Sequence, residues 1–293
     1  MPVEHEVDLG GPAHYVDWGG SGSPLLLIHG LSGSTTNWAA VAPGLAERHR
    51  VYALDFIGHG KTPLAGRTAN LANHRRLIDR FLAEIVGEPA TVVGNSTGGH
   101  LAIIEAAAAP ERVRGLVLVD PSVPMPSGAI NPTFAVIVAP LLVRGVGEVA
   151  LRARFSRIDA EAAVRDTLKL CSPHPERIPS WLVQRHIDEY ADRHATRDSV
   201  RAFLQTGRSL FWHNARRRLF SERCRAVRCP VLVIQGDKDR LVPMSSVEAM
   251  LAIRPDWQLE VLSDVGHISM MEVPDEFNRV VNRWLDKHET RAA

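Results

Sequence analysis

Short apolar runs alternate with amphipathic stretches along the first part of the chain. Runs at Leu25–Ile28, Val51–Leu54, Thr91–Val93 and Val113–Val119 have the length and composition of strands that are buried on both faces. Helical periodicity is clearest over residues 70–86, where Leu, Ile and Phe recur near helical spacing. This alternation of strand and helix predicts a mostly parallel, twisted sheet of about eight strands that is flanked by helices.

Three other stretches complete the first half of this pattern. Residues 3–9 and 13–18 alternate apolar and polar side chains around Gly10-Gly11-Pro12, which predicts an antiparallel hairpin with one exposed face. Helices are predicted over residues 38–48 and over residues 100–109, the second of which ends at a proline.

The alternation stops after residue 121. Residues 122–227 have a helical pattern with no convincing strand, and proline and glycine interrupt it repeatedly. Strand and helix then resume, with strands at 230–235 and 258–262 and helices at 245–253 and 275–288. We therefore predict an α/β core made of residues 1–121 and 228–293, with an all-helical cap inserted between them as residues 122–227.

Composition narrows the possible settings and partners of the chain. Its 293 residues are 45% hydrophobic, and 34 basic residues balance 33 acidic ones, so no global charge favours nucleic acid. Three cysteines fit neither a disulfide framework nor a zinc site, and the acidic N-terminus does not resemble a signal peptide. We expect a cytoplasmic protein without a transmembrane segment, since the most apolar window, residues 134–143, is too short to span a bilayer.

A candidate nucleophile lies where the strand near Val93 gives way to a helix. Gly94-Asn95-Ser96-Thr97-Gly98 has the Gly-x-Ser-x-Gly pattern, in which small neighbours allow a sharp, strained turn to expose the serine. The alternative is a plain Gly/Ser turn between two buried elements. A serine hydroxyl is a poor nucleophile by itself, so a catalytic Ser96 needs a base, an acid and oxyanion donors.

His267 is the candidate base, because it stands on a glycine-containing loop just after the last predicted strand. Histidines in helical stretches, such as His74, His186 and His213, are expected to be solvated or capping residues.

Three aspartates follow strands and are candidates for the acid that orients His267. Asp239 is preferred to Asp237, for which loop capping is the simpler interpretation, and Asp120 is the third candidate. The expected oxyanion donors are the backbone N–H groups of Thr97, which follows the nucleophile, and Leu31, in the loop after the third strand.

Metal and nucleotide chemistry have no support in the sequence. No zinc-protease or clustered Cys/His spacing is present, and Gly60-Lys61-Thr62 lacks the upstream glycine of a phosphate-binding loop. We therefore expect neither a metal nor a cofactor.

Taken together, these motifs resemble those of the cap-bearing α/β-hydrolase fold serine hydrolases. The stretches that carry the resemblance are His29-Gly30, residues 55–60, residues 94–98, residues 236–239 with 242–243, and Gly266-His267. In that family the acid stands three residues after a glycine like Gly236, which favours Asp239. The resemblance also implies that Asp55 and the glycines after it shape a loop near the site.

The resemblance leaves the substrate open. Related epoxide hydrolases and haloalkane dehalogenases attack with an aspartate, so Ser96 favours an acyl-enzyme and a carboxylic ester of a small to medium apolar substrate. Carbon–carbon hydrolases of the meta-cleavage type are similar at Gly94-Asn95-Ser96, but a tryptophan usually follows their catalytic histidine, where this chain has Ile268. A small-molecule sensor that keeps the triad with little turnover is a third possibility.

The cap is expected to roof the site. Its apolar and aromatic residues are candidates for an acyl pocket, although packing between cap helices explains them equally well: Phe134, Ile137, Trp181, Phe203, Phe211 and Trp212. The cap arginines, among them Arg152, Arg154, Arg157 and Arg216-Arg217-Arg218, form a solvated face or, in a weaker hypothesis, contact an anionic lipid surface.

Overall fold

One eight-stranded sheet organises the molecule. The computed structural model describes residues 2–126, 143, 145–155, 158–193 and 197–289. The strands are β1 Val3–Asp8, β2 Pro12–Gly19, β3 Pro24–Ile28, β4 Arg50–Leu54, β5 Ala90–Asn95, β6 Val113–Val119, β7 Val231–Gly236 and β8 Gln258–Leu262. Their order across the sheet is β1-β2-β4-β3-β5-β6-β7-β8.

The sheet is mostly parallel, as the sequence predicts. β1 and β2 form the expected antiparallel hairpin, and β2 pairs antiparallel with β4. All pairings from β4 through β3, β5, β6 and β7 to β8 are parallel. The carboxyl ends of these strands therefore lie along one edge of the sheet, which is where such folds place their sites.

Helices cover both faces of the sheet. Those of the core are α1 Ala42–Ala46, α2 Leu71–Phe81 with a π-helical extension Leu82–Val86, α3 Thr97–Ala108, α9 Met244–Leu251, α10 Ser269–Glu272 and α11 Pro274–Glu289. Side chains alternate along β3, so that Leu26 packs in one apolar cluster with Ile78 of α2, and Leu27 packs in the other with Trp284 of α11. This two-sided burial explains the continuous apolar runs in the sequence.

The helix predicted over residues 38–48 is wrong in its extent. A 3₁₀ turn, Thr35–Trp38, comes first, and the short helix α1 follows at Ala42–Ala46. Pro43 lies in the first turn of α1, where its missing N–H costs nothing, but it cannot continue a helix from upstream.

Between β6 and β7 the described residues form helices and connecting turns. These are α4 Val146–Phe155, α5 Ala160–Cys171, a 3₁₀ turn Pro175–Arg177, α6 Ser180–Arg193, α7 Arg197–Ala215 and α8 Arg217–Ala226. We call this region the cap; its predicted limits at residues 122 and 227 stay predictions. No described helix combines the length and apolar character that crossing a bilayer requires.

His74 of α2 contradicts the expectation that it is a solvated or capping residue. It is fully buried, its ring lies 4.9 Å from that of Phe56, and its Nε2 is 3.0 Å from Oγ1 of Thr206 on α7. Burial lowers the pKa of His74 well below its usual value. Helical periodicity shows which face of α2 is apolar, but it does not show that a second layer covers that face.

Candidate active site

Ser96 occupies a strained turn between β5 and α3. Its φ is +53°, in the left-handed region that side chains other than glycine seldom adopt. A Cβ on Gly98 would lie 2.4 Å from the carbonyl oxygen of Ile28, and a Cβ on Gly94 would lie 2.5 Å from the backbone of Gly98. Both glycines of the pattern are therefore required by close backbone packing, and the turn they permit is the one expected for a nucleophile.

Backbone hydrogen bonds hold this turn from two directions. The N–H of Ser96 donates to the carbonyl oxygen of Val119 on β6 at 2.9 Å, and the carbonyl oxygen of Ser96 accepts from the N–H groups of His100 and Ser122 at 3.1 and 2.9 Å. The end of β5 is thus fixed to β6, to α3 and to the start of the chain that leads into the cap.

The predicted oxyanion donors belong to elements beside Ser96. Thr97 is the first residue of α3, so its N–H has no acceptor within the helix, and its side chain is buried. A Cβ on Gly30, which precedes Leu31, would lie 3.1 Å from Cβ of Ser96, so this loop passes directly beside the serine. The roles of Leu31 and Thr97 as oxyanion donors stay predictions.

His267 and Asp239 form a buried pair. Nδ1 of His267 lies 2.7 Å from Oδ2 of Asp239, and their side chains are 6% and 1% exposed. Because an ionised carboxylate only accepts hydrogen bonds, Nδ1 carries the proton in this contact and Nε2 is left as the basic nitrogen. The pair has the arrangement that a general base and its orienting acid require.

Other hydrogen bonds hold Asp239 in place. Its Oδ1 accepts from the backbone N–H groups of Leu241 and Val242 at 2.7 and 3.0 Å, and its Oδ2 accepts from Nε2 of Gln235 at 3.2 Å. These donors come from β7 and from the loop after it, so the carboxylate is oriented before any substrate binds.

The two other candidate acids have different partners. Oδ1 of Asp237 accepts from the N–H of Asp264 at 2.6 Å, a bond between two loops that fits the structural interpretation. Asp120 is fully buried at the end of β6, where its Oδ1 accepts from the N–H of Gly236 at 2.8 Å and its Oδ2 lies 3.3 Å from Oγ of Ser269.

The surroundings of His267 and Asp120 shift the pKa of each side chain. Burial acts to lower the pKa of His267, but the charge of Asp239 and the hydrogen bond to it outweigh burial, so the pKa is raised above its usual value. Burial, and then repulsion by Asp239, raise the pKa of Asp120 well above the normal range of an aspartate. Burial and the neighbouring carboxylate thus both disfavour the ionised form of Asp120.

Two positioning residues were not anticipated from the sequence. Nδ2 of Asn95 donates to the carbonyl oxygens of His267 and Val119 at 3.1 and 3.2 Å, so the residue before Ser96 holds the backbone of the predicted base. Oε1 of Glu272 accepts from the N–H of Gly266 at 3.0 Å. The sequence signal for Asn95 was a polar residue at the end of a buried strand; α10, which carries Glu272, was too short to be predicted from periodicity.

The three predicted pocket residues within the described part of the chain have different surroundings. Trp181 and Trp212 are 52% and 61% exposed, and Phe203 packs against a small cluster of Leu151, Val200 and Leu204. Phe134 and Ile137 lie outside the described residues. Substrate binding by these five side chains stays a prediction.

The described part of the chain contains no group of three His, Cys, Asp or Glu side chains arranged to hold a metal ion. Cys171, Cys224 and Cys229 are all free.

Comparison with known proteins supplies the family. A family model described as the alpha/beta hydrolase fold matches residues 23–274. The chain belongs to the α/β-hydrolase family. This match includes the turn at Ser96, the loop that carries Asp239 and the loop that carries His267.

Relatives of this α/β-hydrolase have diverse names. The chain is 30% identical over 276 residues to the dihydrolipoyllysine-residue acetyltransferase component of an acetoin cleaving system from Cupriavidus necator, with 92% of this chain and 66% of that protein covered. It is 27% identical over 294 residues to 2-hydroxy-6-oxononadienedioate/2-hydroxy-6-oxononatrienedioate hydrolase 2 from Pseudomonas putida, covering 96% and 93%. A solved membrane phospholipase A is similar with a TM-score of 0.76 and 25% identity, covering 98% and 87%.

These coverages limit what the relatives imply. The chain spans just under two thirds of the length of the acetyltransferase component, so that protein's overall activity is not transferred to this chain. The three proteins are named for different reactions, so the function of this α/β-hydrolase must be argued from its site.

Proposed function

We propose that this α/β-hydrolase is a serine hydrolase that cleaves carboxylic esters through an acyl-enzyme. The observation that carries the proposal is the buried 2.7 Å contact between His267 and Asp239. The backbone carbonyl of His267 also accepts a hydrogen bond from Asn95, the residue before the strained Ser96. A base with a raised pKa, an orienting carboxylate and a serine on a sharp turn are the parts that acyl transfer needs.

In the proposed acylation step, Oγ of Ser96 attacks the carbonyl carbon of the ester while Nε2 of His267 takes the hydroxyl proton. The N–H groups of Leu31 and Thr97 stabilise the negative charge that develops on the carbonyl oxygen. Protonated His267 then gives its proton to the departing alcohol as the tetrahedral intermediate collapses. Asp239 stabilises the imidazolium through its contact with Nδ1.

Deacylation repeats the sequence with water as the nucleophile. His267 takes a proton from the water, which attacks the acyl carbon, and then returns a proton to Oγ of Ser96 as the carboxylic acid leaves. The proposed step consumes one water and needs no cofactor.

Labelling with a fluorophosphonate probe tests the nucleophile. We expect the parent protein to be labelled and the variant Ser96→Ala to remain unlabelled. Ser245→Ala, an exposed serine on α9, is the matched control and should label like the parent. Labelling that persists in Ser96→Ala would reject Ser96 as the nucleophile.

A series of p-nitrophenyl esters tests the proposed apolar acyl pocket. We expect kcat/KM to rise from acetate to medium-chain esters, because a longer acyl chain buries more apolar surface under the cap. A flat or falling profile would count against an apolar pocket but not against the serine mechanism.

Carbon–carbon bond hydrolysis is the second candidate, and its specific support is the P. putida relative that covers nearly the full length of both chains. The residue after His267 is the buried Ile268, 5% exposed, where that class usually has tryptophan. Incubation with a 2-hydroxy-6-oxo-dienoate separates the two reactions, because cleavage of its carbon–carbon bond removes the absorbance of the conjugated compound. Turnover of this compound at a higher kcat/KM than any ester would replace the ester proposal.

Ligand sensing is the remaining alternative, and turnover discriminates it. A sensor would bind an ester or its analogue and release product barely or not at all. Burst kinetics with a p-nitrophenyl ester distinguish one equivalent of product from continuing release.

We also propose that the cap contacts anionic lipid surfaces. Phe211 and Trp212, near the end of α7, are 41% and 61% exposed, and the exposed arginines 216–218 come after three intervening residues. Amphipathic aromatic rings and basic side chains are the residue types that favour a negatively charged membrane surface. Binding to phosphatidylglycerol vesicles at low salt, weakened in Trp212→Ala and unchanged in Val261→Ala on β8, is the expected result. Absence of binding at low salt would end this proposal.

A further inference from the structure

The cap touches the loop of the predicted base through its backbone. Residues 171–177, which join the end of α5 to the following 3₁₀ turn, lie against residues 264–267. The carbonyl oxygen of Cys171 accepts from the N–H of His267 at 2.7 Å. A Cβ on Gly266 would lie 2.3 Å from that oxygen and 2.8 Å from Cδ of Pro173, so the two chain segments are in direct contact.

Three side chains fasten this contact, and we call them the clamp: His174, Arg177 and Asp264. The guanidinium of Arg177 donates to the carbonyl oxygen of Asp264 at 2.8 Å and to its Oδ2 at 2.6 Å. Nε2 of His174 lies 3.0 Å from Oδ1 of the same carboxylate. A single core residue thus receives three polar contacts from the cap.

Charge stabilises the clamp in its observed form. Arg177 and then His174 lower the pKa of Asp264, and Asp264 together with Glu176 raises the pKa of His174. Asp264 also has a φ of +60°, a left-handed conformation that aspartate tolerates better than most residues. The residue that turns the loop is therefore also the one that the cap holds.

The other side of the loop is hydrogen-bonded to the loop that carries the predicted acid. The N–H of Asp264 donates to Oδ1 of Asp237 at 2.6 Å, and the N–H of Lys238 donates to the carbonyl oxygen of Val265 at 2.9 Å. Asp239, the partner of His267, follows directly. The loop that carries the base consequently lies between the loop of the acid and the cap.

We propose that the clamp makes the cap a positioning element for His267 as well as a roof over the site. Seating of residues 171–177 fixes the backbone N–H of His267, and Asn95 fixes its carbonyl, so the imidazole is aimed by both the cap and the core. This inference rests on the proposed role of His267 as the base. His174, Arg177 and Asp264 act through the loop and do not touch the substrate.

Kinetics of the double variant His174→Ala/Arg177→Ala test the proposal. With a p-nitrophenyl ester we expect kcat to fall about tenfold while KM changes by less than about twofold, because a displaced base slows chemistry more than binding. The variant Arg177→Lys should lose less of kcat than the double variant does. Its ammonium group can still contact the Asp264 carboxylate, but it lacks the paired donors of a guanidinium. Arg165→Ala, which breaks the 2.8 Å ion pair with Glu161 on α5, is the control and should behave like the parent.

Hydrogen exchange gives a readout that does not depend on turnover. The amide of His267, bonded to Cys171, should exchange about tenfold faster in the double variant than in the parent and in Arg165→Ala. If exchange is unchanged, or if exchange accelerates while kcat and KM stay at parental values, the clamp does not position the base and the proposal is overturned. A parent that neither labels with fluorophosphonate nor turns over would instead reject the serine-hydrolase proposal, while exchange would still show whether the clamp holds the loop.

Discussion

The carboxyl edge of the sheet and the cap differ in how firmly their side chains are held. At the edge, His267 is 5% exposed and Thr97 is fully buried, and Asp239 accepts hydrogen bonds from four groups. In the cap, Trp181 and Trp212 are more than half exposed. The polar side chains at the strand ends are thus buried and hydrogen-bonded, whereas these two aromatic side chains of the cap are largely exposed to solvent.

This difference follows from what each region has to satisfy. A buried polar group costs free energy unless it is hydrogen-bonded, so each polar residue at the edge restricts the identity and orientation of its neighbours. An exposed aromatic residue in the cap imposes no such condition. Substitutions at the edge should therefore have large and specific effects, and substitutions on the outer cap should have small ones.

Replacing the predicted acid should have the largest effect. Asp239→Asn keeps the shape of the side chain but cannot stabilise the imidazolium or hold the same tautomer of His267, so we expect kcat to fall about 10³- to 10⁴-fold. Steady-state kinetics with a p-nitrophenyl ester measure this, with circular dichroism to verify folding. A loss smaller than tenfold would show that another group orients the base.

Two tryptophans compare the core with the cap directly. Trp284 of α11 is 2% exposed and Trp212 of α7 is 61% exposed. We expect Trp284→Ala to lower the free energy of unfolding by about 3–5 kcal/mol through the cavity it leaves, and Trp212→Ala to change it by less than about 0.5 kcal/mol. Urea denaturation of both variants measures the difference. Equal destabilisation would mean that the outer cap is packed as tightly as the core.

A buried glutamate on α3, the helix that follows Ser96, should make stability depend on pH. Burial raises the pKa of Glu105 on α3 from 4.5 to about 7, in spite of the 3.0 Å ion pair with Arg75. The folded state binds the Glu105 proton more tightly than the unfolded state does. Ionisation of Glu105 therefore leaves the free energy of unfolding unchanged below pH 4.5 and lowers it as the pH rises towards 7. The difference in free energy of unfolding between Glu105→Gln and the parent should therefore shift by about 2 kcal/mol in favour of the variant when the pH is raised from about 5.5 to about 8.

Urea denaturation at both pH values measures this gain. A difference between Glu105→Gln and the parent that stays constant with pH would show that Glu105 ionises normally in the folded protein.

The smallest effect is expected for Asp120→Asn. Burial and repulsion by Asp239 raise the pKa of Asp120, and Asn keeps the shape of the side chain and can still accept the hydrogen bond from Gly236, so we expect kcat/KM to change by less than about threefold. The contrast with Asp239→Asn sets apart two buried aspartates on neighbouring strands. A large loss in Asp120→Asn would show that its negative charge contributes to the site.

Particular residues show how far sequence reasoning reached. Strand β8 has the predicted bounds, Gln258–Leu262, where polar and apolar residues alternate as far as Val261. The helix predicted from residue 38 instead begins at Ala42, with Pro43 in its first turn. His74 was expected at the surface, but α7 covers it, and the packing of distant segments has no local signal.

The sequence by itself determined the fold and the residue types of the site, because apolar periodicity and the Gly-x-Ser-x-Gly turn are local patterns. It left three aspartates as candidate partners of His267. Only the tertiary structure placed Asp239 2.7 Å from that histidine, bonded Asp120 to the N–H of Gly236 instead, and brought Cys171 and Arg177 of the cap onto the same loop. Those relations depend on distances between segments far apart in the chain, which periodicity and spacing do not encode.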